Sequence, residues 1–204
     1  FLDFLSFPRN YKHSKIIFLN LEVLLSALDK KNGVILIGSH FGSFDKLFYA
    51  MNEKNIDLTG VAYKQNNKGA DLFFKEIREK FIKNQLYKGG NSRLLSESLS
   101  QNNVLILLSD QDAKNRGTIV KFFNIDSSTH SGAAILSKRN KCPLIYVSIT
   151  KINGSYEVKF DEINTSNSVE EIVQSYTSKI EKTIIRAPEQ YFWFHKRWKS
   201  VRKY

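Results

Sequence analysis

The run His40-Phe41-Gly42-Ser43-Phe44-Asp45 sets an imidazole and a carboxylate close together at the end of an apolar stretch, Gly33-Val34-Ile35-Leu36-Ile37. An imidazole of ordinary pKa, near ~6.5, takes a hydroxyl proton at neutral pH. A carboxylate on its other ring nitrogen fixes the tautomer and stabilises the imidazolium that forms. The chemistry on offer is general-base activation of a hydroxyl, and Gly38 and Gly42 on either side of His40 let a substrate approach the backbone. The competing structural reading is a satisfied core histidine beside an aspartate that the dipole of a helix N-terminus favours in any case. A second polar cluster, Ser109-Asp110-Gln111-Asp112-Ala113-Lys114-Asn115-Arg116-Gly117, follows another apolar run at residues 104–108. Its composition also suits a solvated loop, because Asp, Asn and Gly favour turns. His13, His40, His130 and His195 are scattered and pair with no Cys at ligand spacing, so no metal is expected. Ser39 is the sole serine with any context for a nucleophile.

Such residues act only where the chain holds them. Residues 33–37 read as a buried parallel strand, and Phe44, Leu47, Phe48 and Met51 then recur at helical spacing. His40 is therefore expected just outside a strand's carboxyl end and Asp45 in the first helical turn, both facing the crevice in which open α/β sheets bind substrates. Further strand-like runs at residues 58–63, 104–108, 144–149 and, more weakly, 85–88 alternate with helix-like segments near 67–83, 92–101 and 131–140. Ile17, Leu21, Leu24 and Leu28 mark an amphipathic helix over residues 13–29, ending at a Lys30-Lys31-Asn32-Gly33 turn. Residues 156–160 follow the turn signal Asn153-Gly154 and pair antiparallel with the strand at Leu144. A last helix carries Val169, Ile172, Val173, Tyr176, Ile180 and Ile184 on one face and stops at Ala187-Pro188. The alternation predicts an α/β fold with a mostly parallel central sheet flanked by helices, as a single domain over residues 1–204.

Lys and Arg number 31 against 20 Asp and Glu, a net charge of +11 that favours polyanionic partners: an anionic membrane surface, nucleic acid or an acidic protein. Cys142 is the one cysteine, so no internal disulfide forms, and its place before Pro143 and an apolar run marks a buried structural thiol. No run approaches the roughly 20 apolar residues of a membrane-spanning helix, and the first residues are not a signal peptide. The chain begins at Phe1 rather than Met, and an anchor upstream of it is expected. Near the other end, Tyr191-Phe192-Trp193-Phe194-His195-Lys196-Arg197-Trp198-Lys199 interleaves aromatics with cations. One reading is an interfacial patch with aromatics at the headgroup boundary and Trp193, Arg197, Trp198 and Lys199 meeting phosphates. Stacking on single-stranded nucleic acid is the rival, although no nucleic-acid module signature accompanies it.

Together these segments resemble the lysophospholipid acyltransferase superfamily, and within it the lipid A biosynthesis acyltransferases that add secondary acyl chains. His40 to Asp45 matches the superfamily's box of a His and an acid with four residues between them. Tyr63-Lys64-Gln65-Asn66-Asn67 is similar to a Tyr-Arg-Pro-x-x-Asn segment, Arg78 sits where the family keeps an Arg, and Asp110-Gln111-Asp112 with Phe122-Phe123 looks like its Asp-Gln-Asp and Phe-Phe-Gly segments. Thr129 with Gly132 and then Ala134 to Arg139 correspond to its Thr-x-x-Gly and the helix after it. Pro188 to Lys199 is close to its Pro-Glu-Gln-Trp-x-Trp-x-His-Arg-Arg-Trp-Lys ending. Asp45 stands where lipid A enzymes usually carry Glu, Lys64 replaces an Arg, and Asn124 replaces a Gly.

The resemblance implies a glycerol-3-phosphate acyltransferase-like fold and a membrane-associated enzyme at the cytoplasmic face of a bacterial inner membrane. His40 and Asp45 would be catalytic; Arg78, Asp110, Asp112, Lys64, Lys114 and Arg116 would bind substrate. No cofactor is implied. An acyl carrier protein or coenzyme A thioester would be the co-substrate, the acyl carrier protein a partner, and a lipid A precursor the acceptor. Lysophospholipid and aminolipid acceptors are the alternatives within the superfamily, and a non-catalytic basic binder is the alternative outside it.

Overall fold

Val34–Gly38 is the strand β2, and all five residues are buried because the sheet is covered on both sides. Val34 and Leu36 point into one hydrophobic cluster and Ile35 and Ile37 into another, the period-2 alternation of a strand. The computed structural model describes residues 15–62, 66–79, 84–87 and 92–202. The other strands are β1 (Ile16–Leu19), β3 (Leu58–Ala62), β4 (Asn84–Tyr87), β5 (Val104–Leu108), β6 (Thr118–Phe122), β7 (Ile125–Thr129), β8 (Leu144–Ile152) and β9 (Ser155–Ile163). The helices are α1 (Leu21–Leu28), α2 (Phe44–Glu53), α3 (Lys68–Glu79), α4 (Ser92–Ser100), α5 (Gly132–Asn140) and α6 (Val169–Arg186). Among the described residues seven strands form the main sheet in the order β1-β9-β8-β2-β5-β3-β4, while β6 and β7 form a separate hairpin. Within the main sheet β8–β9 is the antiparallel pair and the other neighbours are parallel. The expected α/β architecture is therefore present.

Helices α1 and α2 cover one face, with Leu24, Leu47 and Met51 buried against Leu36, Ile106 and Val147. Helices α5 and α6 cover the other, with Leu136, Ile172, Tyr176 and Ile180 against Ile35, Ile37 and Tyr146. Helix α6 starts at a reciprocal cap: the Glu171 backbone N–H donates to Ser168 Oγ at 3.2 Å, and the Ser168 N–H donates to Glu171 Oε2 at 2.9 Å. Its 18 residues deliver the chain to Pro188, and hence to the segment that borders the site. Cys142 is buried as expected, and burial pushes its thiol up to about 11, against hydrogen bonds involving its own backbone and Ser137.

Two elements differ from the sequence-based expectation. The helix expected over residues 13–29 is a strand followed by a shorter helix, with residues 13–14 outside the described part of the chain. Ile16-Ile17-Phe18-Leu19 is β-branched and aromatic, and it pairs with the exposed side of β9 from Ile16↔Tyr156 to Leu19↔Lys159. Asn20, at φ 58°, then breaks the path before α1. The β6–β7 hairpin has no counterpart in the expected elements. Its turn residues Phe123 and Asn124 both have positive φ, 50° and 59°, as a type I′ turn needs, and Asn tolerates that conformation better than most residues.

Candidate active site

The register of the sheet builds the site. Strands β2 and β5 are parallel neighbours, with Gly38 opposite Leu108, and the Ser109 N–H donates to the Gly38 carbonyl at 3.1 Å. His40 and Asp110 each lie two residues beyond those paired positions, so they leave the sheet side by side. His40 Nδ1 is 2.8 Å from Asp110 Oδ1, the imidazole 28% exposed and the carboxylate 2%. With Nδ1 as the donor to Asp110, the lone pair at Nε2 is left for a substrate proton.

The carboxylate on His40 is thus Asp110, and not Asp45 as the spacing along the chain suggests. Gly42, at φ 54°, turns the backbone between His40 and α2, and Asp45 is buried in the first turn of that helix at 3% exposure. Proximity in sequence here loses to proximity across two neighbouring strands. A Cβ at Gly42 would lie 2.9 Å from the Ile149 carbonyl oxygen, so only glycine fits this turn.

Aromatic rings border the imidazole. Phe44 meets it edge-on at 5.5 Å between centroids, and Phe192 lies at 6.4 Å. Tyr191 and Tyr146 are buried behind Asp110. Burial pushes both phenols up, helped by the charge of Asp110, so each stays protonated; the Tyr191 hydroxyl donates to the Asp110 carbonyl at 3.4 Å.

Asp112 is hydrogen-bonded within its own loop and to the tail of the chain. Its carboxylate accepts from Ser200 Oγ at 2.7 and 2.6 Å, from the Ser200 N–H at 3.0 Å and from the Lys114 N–H at 2.8 Å. Burial pushes the carboxyl up, but the hydrogen bonds from Ser200 and Lys114, with the charge of Lys199, outweigh it and hold the group below the ordinary aspartate value. Lys114 and Arg116 lie exposed on the helical turn Lys114–Arg116 just beyond. Arg78, by contrast, donates to Gln85 Oε1 at 2.9 Å on the edge strand β4, which β3 and β5 separate from β2. The structure does not bring it to His40. Lys64 lies outside the described residues.

A model of the bacterial lipid A biosynthesis acyltransferase family matches residues 3–200. The chain belongs to that family. Among curated proteins it is 26% identical over 187 residues to a lipid A biosynthesis palmitoleoyltransferase of Escherichia coli (strain K12), covering 88% of this chain and 60% of that one. The same figures hold for a lipid A biosynthesis acyltransferase of Shigella flexneri, so the chain spans about 60% of the length of these relatives. Among solved structures, the 1-acyl-sn-glycerophosphate (LPA) acyltransferase PlsC of Thermotoga maritima superposes with a TM-score of 0.50 at 13% identity, covering 93% of this chain and 80% of the other. That likeness shows the acyltransferase fold.

The family's aromatic and basic ending divides in two in the structure. Arg197, expected at a headgroup, is 3% exposed; its Nη1 donates to the Ser128 carbonyl at 2.6 Å, its Nη2 donates to Thr129 Oγ1, and the guanidinium lies 5.1 Å from the Phe122 ring centroid. It clamps the tail to β7, because a buried guanidinium needs the acceptors that a strand end supplies. Trp198 is half-buried and also packs on Phe122, at 5.6 Å. Exposed instead are Phe192 at 44%, Trp193 at 51% and Phe194 at 91%, along with Lys196, Lys199 and Arg202. Trp193 is held in place by its Nε1, which donates to the Pro188 carbonyl at 2.7 Å. The sequence assigned no role to Tyr191, His195 or Ser200, all of which touch the Asp110 to Asp112 loop; the available signal was that Tyr191 and His195 fall within the Pro188 to Lys199 ending that resembles the family's, and Ser200 follows it directly.

No helix among the described residues is long and apolar enough to cross a membrane, and none of their His, Cys, Asp and Glu side chains form a group of three or more able to hold a metal.

Proposed function

We propose that this protein moves a fatty acyl chain from an acyl thioester to a hydroxyl of a lipid acceptor, with a lipid A precursor as that acceptor. The observation that carries this reading is the His40–Asp110 pair at the carboxyl ends of β2 and β5, in a chain of this family. His40 Nε2 takes the proton of the acceptor hydroxyl as its oxygen attacks the thioester carbonyl carbon. The C–S bond then breaks, and the thiolate leaves with the proton from the imidazolium. The products are an ester and a free thiol, with no acyl-enzyme between. Asp110, holding Nδ1, keeps Nε2 free and stabilises the cation while it lasts. Lys114, Arg116 and Lys199 are exposed cations near this end of the sheet and suit the acceptor's phosphates.

The donor in this reading is an acyl carrier protein or coenzyme A thioester, and the protein works at the cytoplasmic face of the inner membrane. Supporting this placement, Phe192, Trp193 and Phe194 stand exposed, Phe192 beside His40, and Lys196, Lys199 and Arg202 are exposed farther along the same segment of a chain of net charge +11.

The test offers the protein labelled acyl carrier protein and acyl-CoA with a panel of acceptors: a lipid A precursor, lysophospholipids and aminolipids. Thioester-dependent acylation of the lipid A precursor that is lost in His40→Ala supports the reading. Near-normal turnover by His40→Ala, or an isolated acyl-enzyme, refutes the mechanism.

A further inference from the structure

We infer that His195 is a positioning residue for this proton transfer: through the Asp112 backbone it holds the Asp110 carboxylate against His40. The inference rests on the acyl-transfer reading. His195 Nε2 accepts the Asp112 N–H at 3.0 Å, and a nitrogen that accepts carries no proton. The ring is therefore neutral, with its hydrogen on Nδ1, and the surroundings keep it so. Burial draws its pKa down, as do the charges of Lys199 and Arg197, while Asp110 and Asp112 oppose them and lose.

The loop that His195 grips is tied at a few identifiable points. Asp110 leaves β5 two residues past Leu108, and Ser109 is tied to Gly38. On the far side the Ala113 N–H donates to the Ser128 carbonyl at 3.2 Å, and the Asp112 carboxylate takes Ser200. Closest to the carboxylate that matters are the Tyr191 hydroxyl on the Asp110 carbonyl at 3.4 Å and the shorter bond from the Asp112 N–H to His195 at 3.0 Å. Without an acceptor this partly buried N–H loses its partner, and the peptide rotates to find another.

The same segment also holds the other half of the pair. The Gly42 N–H donates to the Gln190 carbonyl at 2.7 Å, and the Phe192 N–H to the His40 carbonyl at 3.1 Å. Three residues after Phe192 comes His195. One strap thus touches the backbone at His40 and at Asp112, adding to the sheet register a second tie between the two strand ends. A displacement of about 1 Å at a reacting group costs on the order of 10²-fold in rate.

The experiment compares His195→Phe, which keeps a ring without an acceptor, with His195→Gln, whose Oε1 reaches the position of Nε2. In folded protein, verified by near-UV circular dichroism, His195→Phe is expected to lower kcat about 10- to 100-fold with KM for both substrates within about twofold. His195→Gln is expected to stay within about threefold of the parent. A second readout needs no turnover: the low-field Nδ1 proton resonance of His40, identified by its loss in His40→Asn, should broaden or move upfield in His195→Phe and persist in His195→Gln. Full kcat in His195→Phe, an effect confined to KM, or an equal loss in His195→Gln overturns the inference. If the parent protein shows no acylation while the resonance still responds as stated, the acyl-transfer reading fails and the positioning role stands.

Discussion

Asp110→Asn is the sharpest test of how the site is wired. The substitution keeps the size of the side chain and removes its charge, and an amide nitrogen facing Nδ1 forces the hydrogen onto Nε2, where it blocks the base. The contact is 2.8 Å and the carboxylate is 2% exposed, so the charge centres sit about 4 Å apart in a site of intermediate dielectric. At an effective dielectric of about 20 the lost attraction for the imidazolium is up to about 4 kcal/mol, or on the order of 10³-fold in rate. Inverting the tautomer carries the loss toward about 10⁴-fold. The assay is the initial rate of thiol release from the acyl donor at saturating acceptor, read for Asp110→Asn and Asp45→Asn side by side. Asp45 is buried in the first turn of α2 while Asp110 holds Nδ1, and the Asp45→Asn variant is expected to lose less activity than Asp110→Asn. A protein with Asp110→Asn that keeps a tenth or more of the parent rate, while Asp45→Asn loses nearly all, refutes the pairing on which the mechanism depends.

Arg197→Met removes a buried cation from the Ser128 carbonyl and Thr129 hydroxyl and should destabilise the fold by about 2–4 kcal/mol in urea titrations, whereas a headgroup contact would leave stability unchanged. Phe192→Ser with Phe194→Ser should weaken cosedimentation with anionic vesicles by about tenfold per ring with no change in urea midpoint, because both side chains are exposed; unchanged binding would remove the aromatic loop from the membrane surface. The Asp112 carboxyl is held below its ordinary value, so its contribution to stability is present above the unfolded value of about 3.9 and is lost as the pH falls through the lower folded one. Ser200→Ala deletes the hydroxyl that holds it, and acid unfolding should then begin at a higher pH than in the parent; identical acid transitions would show that Ser200 does not hold this charge.

Much of the layout was legible in the sequence because it follows from local periodicity. The continuous run at residues 33–37 reads as a strand buried on both faces and the spacing of Phe44, Leu47, Phe48 and Met51 as a helix, and that helix covers one face of the sheet. What periodicity does not carry is pairing. Ile16 to Leu19 fits a helical face as readily as an edge strand, and its pairing with β9, residues 155–163, decided the matter. Thr118 to Thr129 is rich in β-formers, and its folding back on itself shows only in the register from Thr118↔Thr129 to Phe122↔Ile125.

The sequence by itself picked out candidates for chemistry: His40 and Asp45 as base and acid, the Asp110 to Asp112 loop at another strand end, and an aromatic and basic ending. Only the tertiary structure decided how they are wired. A carboxylate five residues away along the chain is nearer in sequence than one seventy residues away, yet the parallel register of β2 and β5 puts Asp110 on the imidazole and α2 carries Asp45 into the core. The ending was divided in the same way, Arg197 inward because Ser128 and Thr129 offer acceptors and Phe194 outward because nothing among the described residues covers it. Composition sets what each side chain can do, and packing sets which partner it meets.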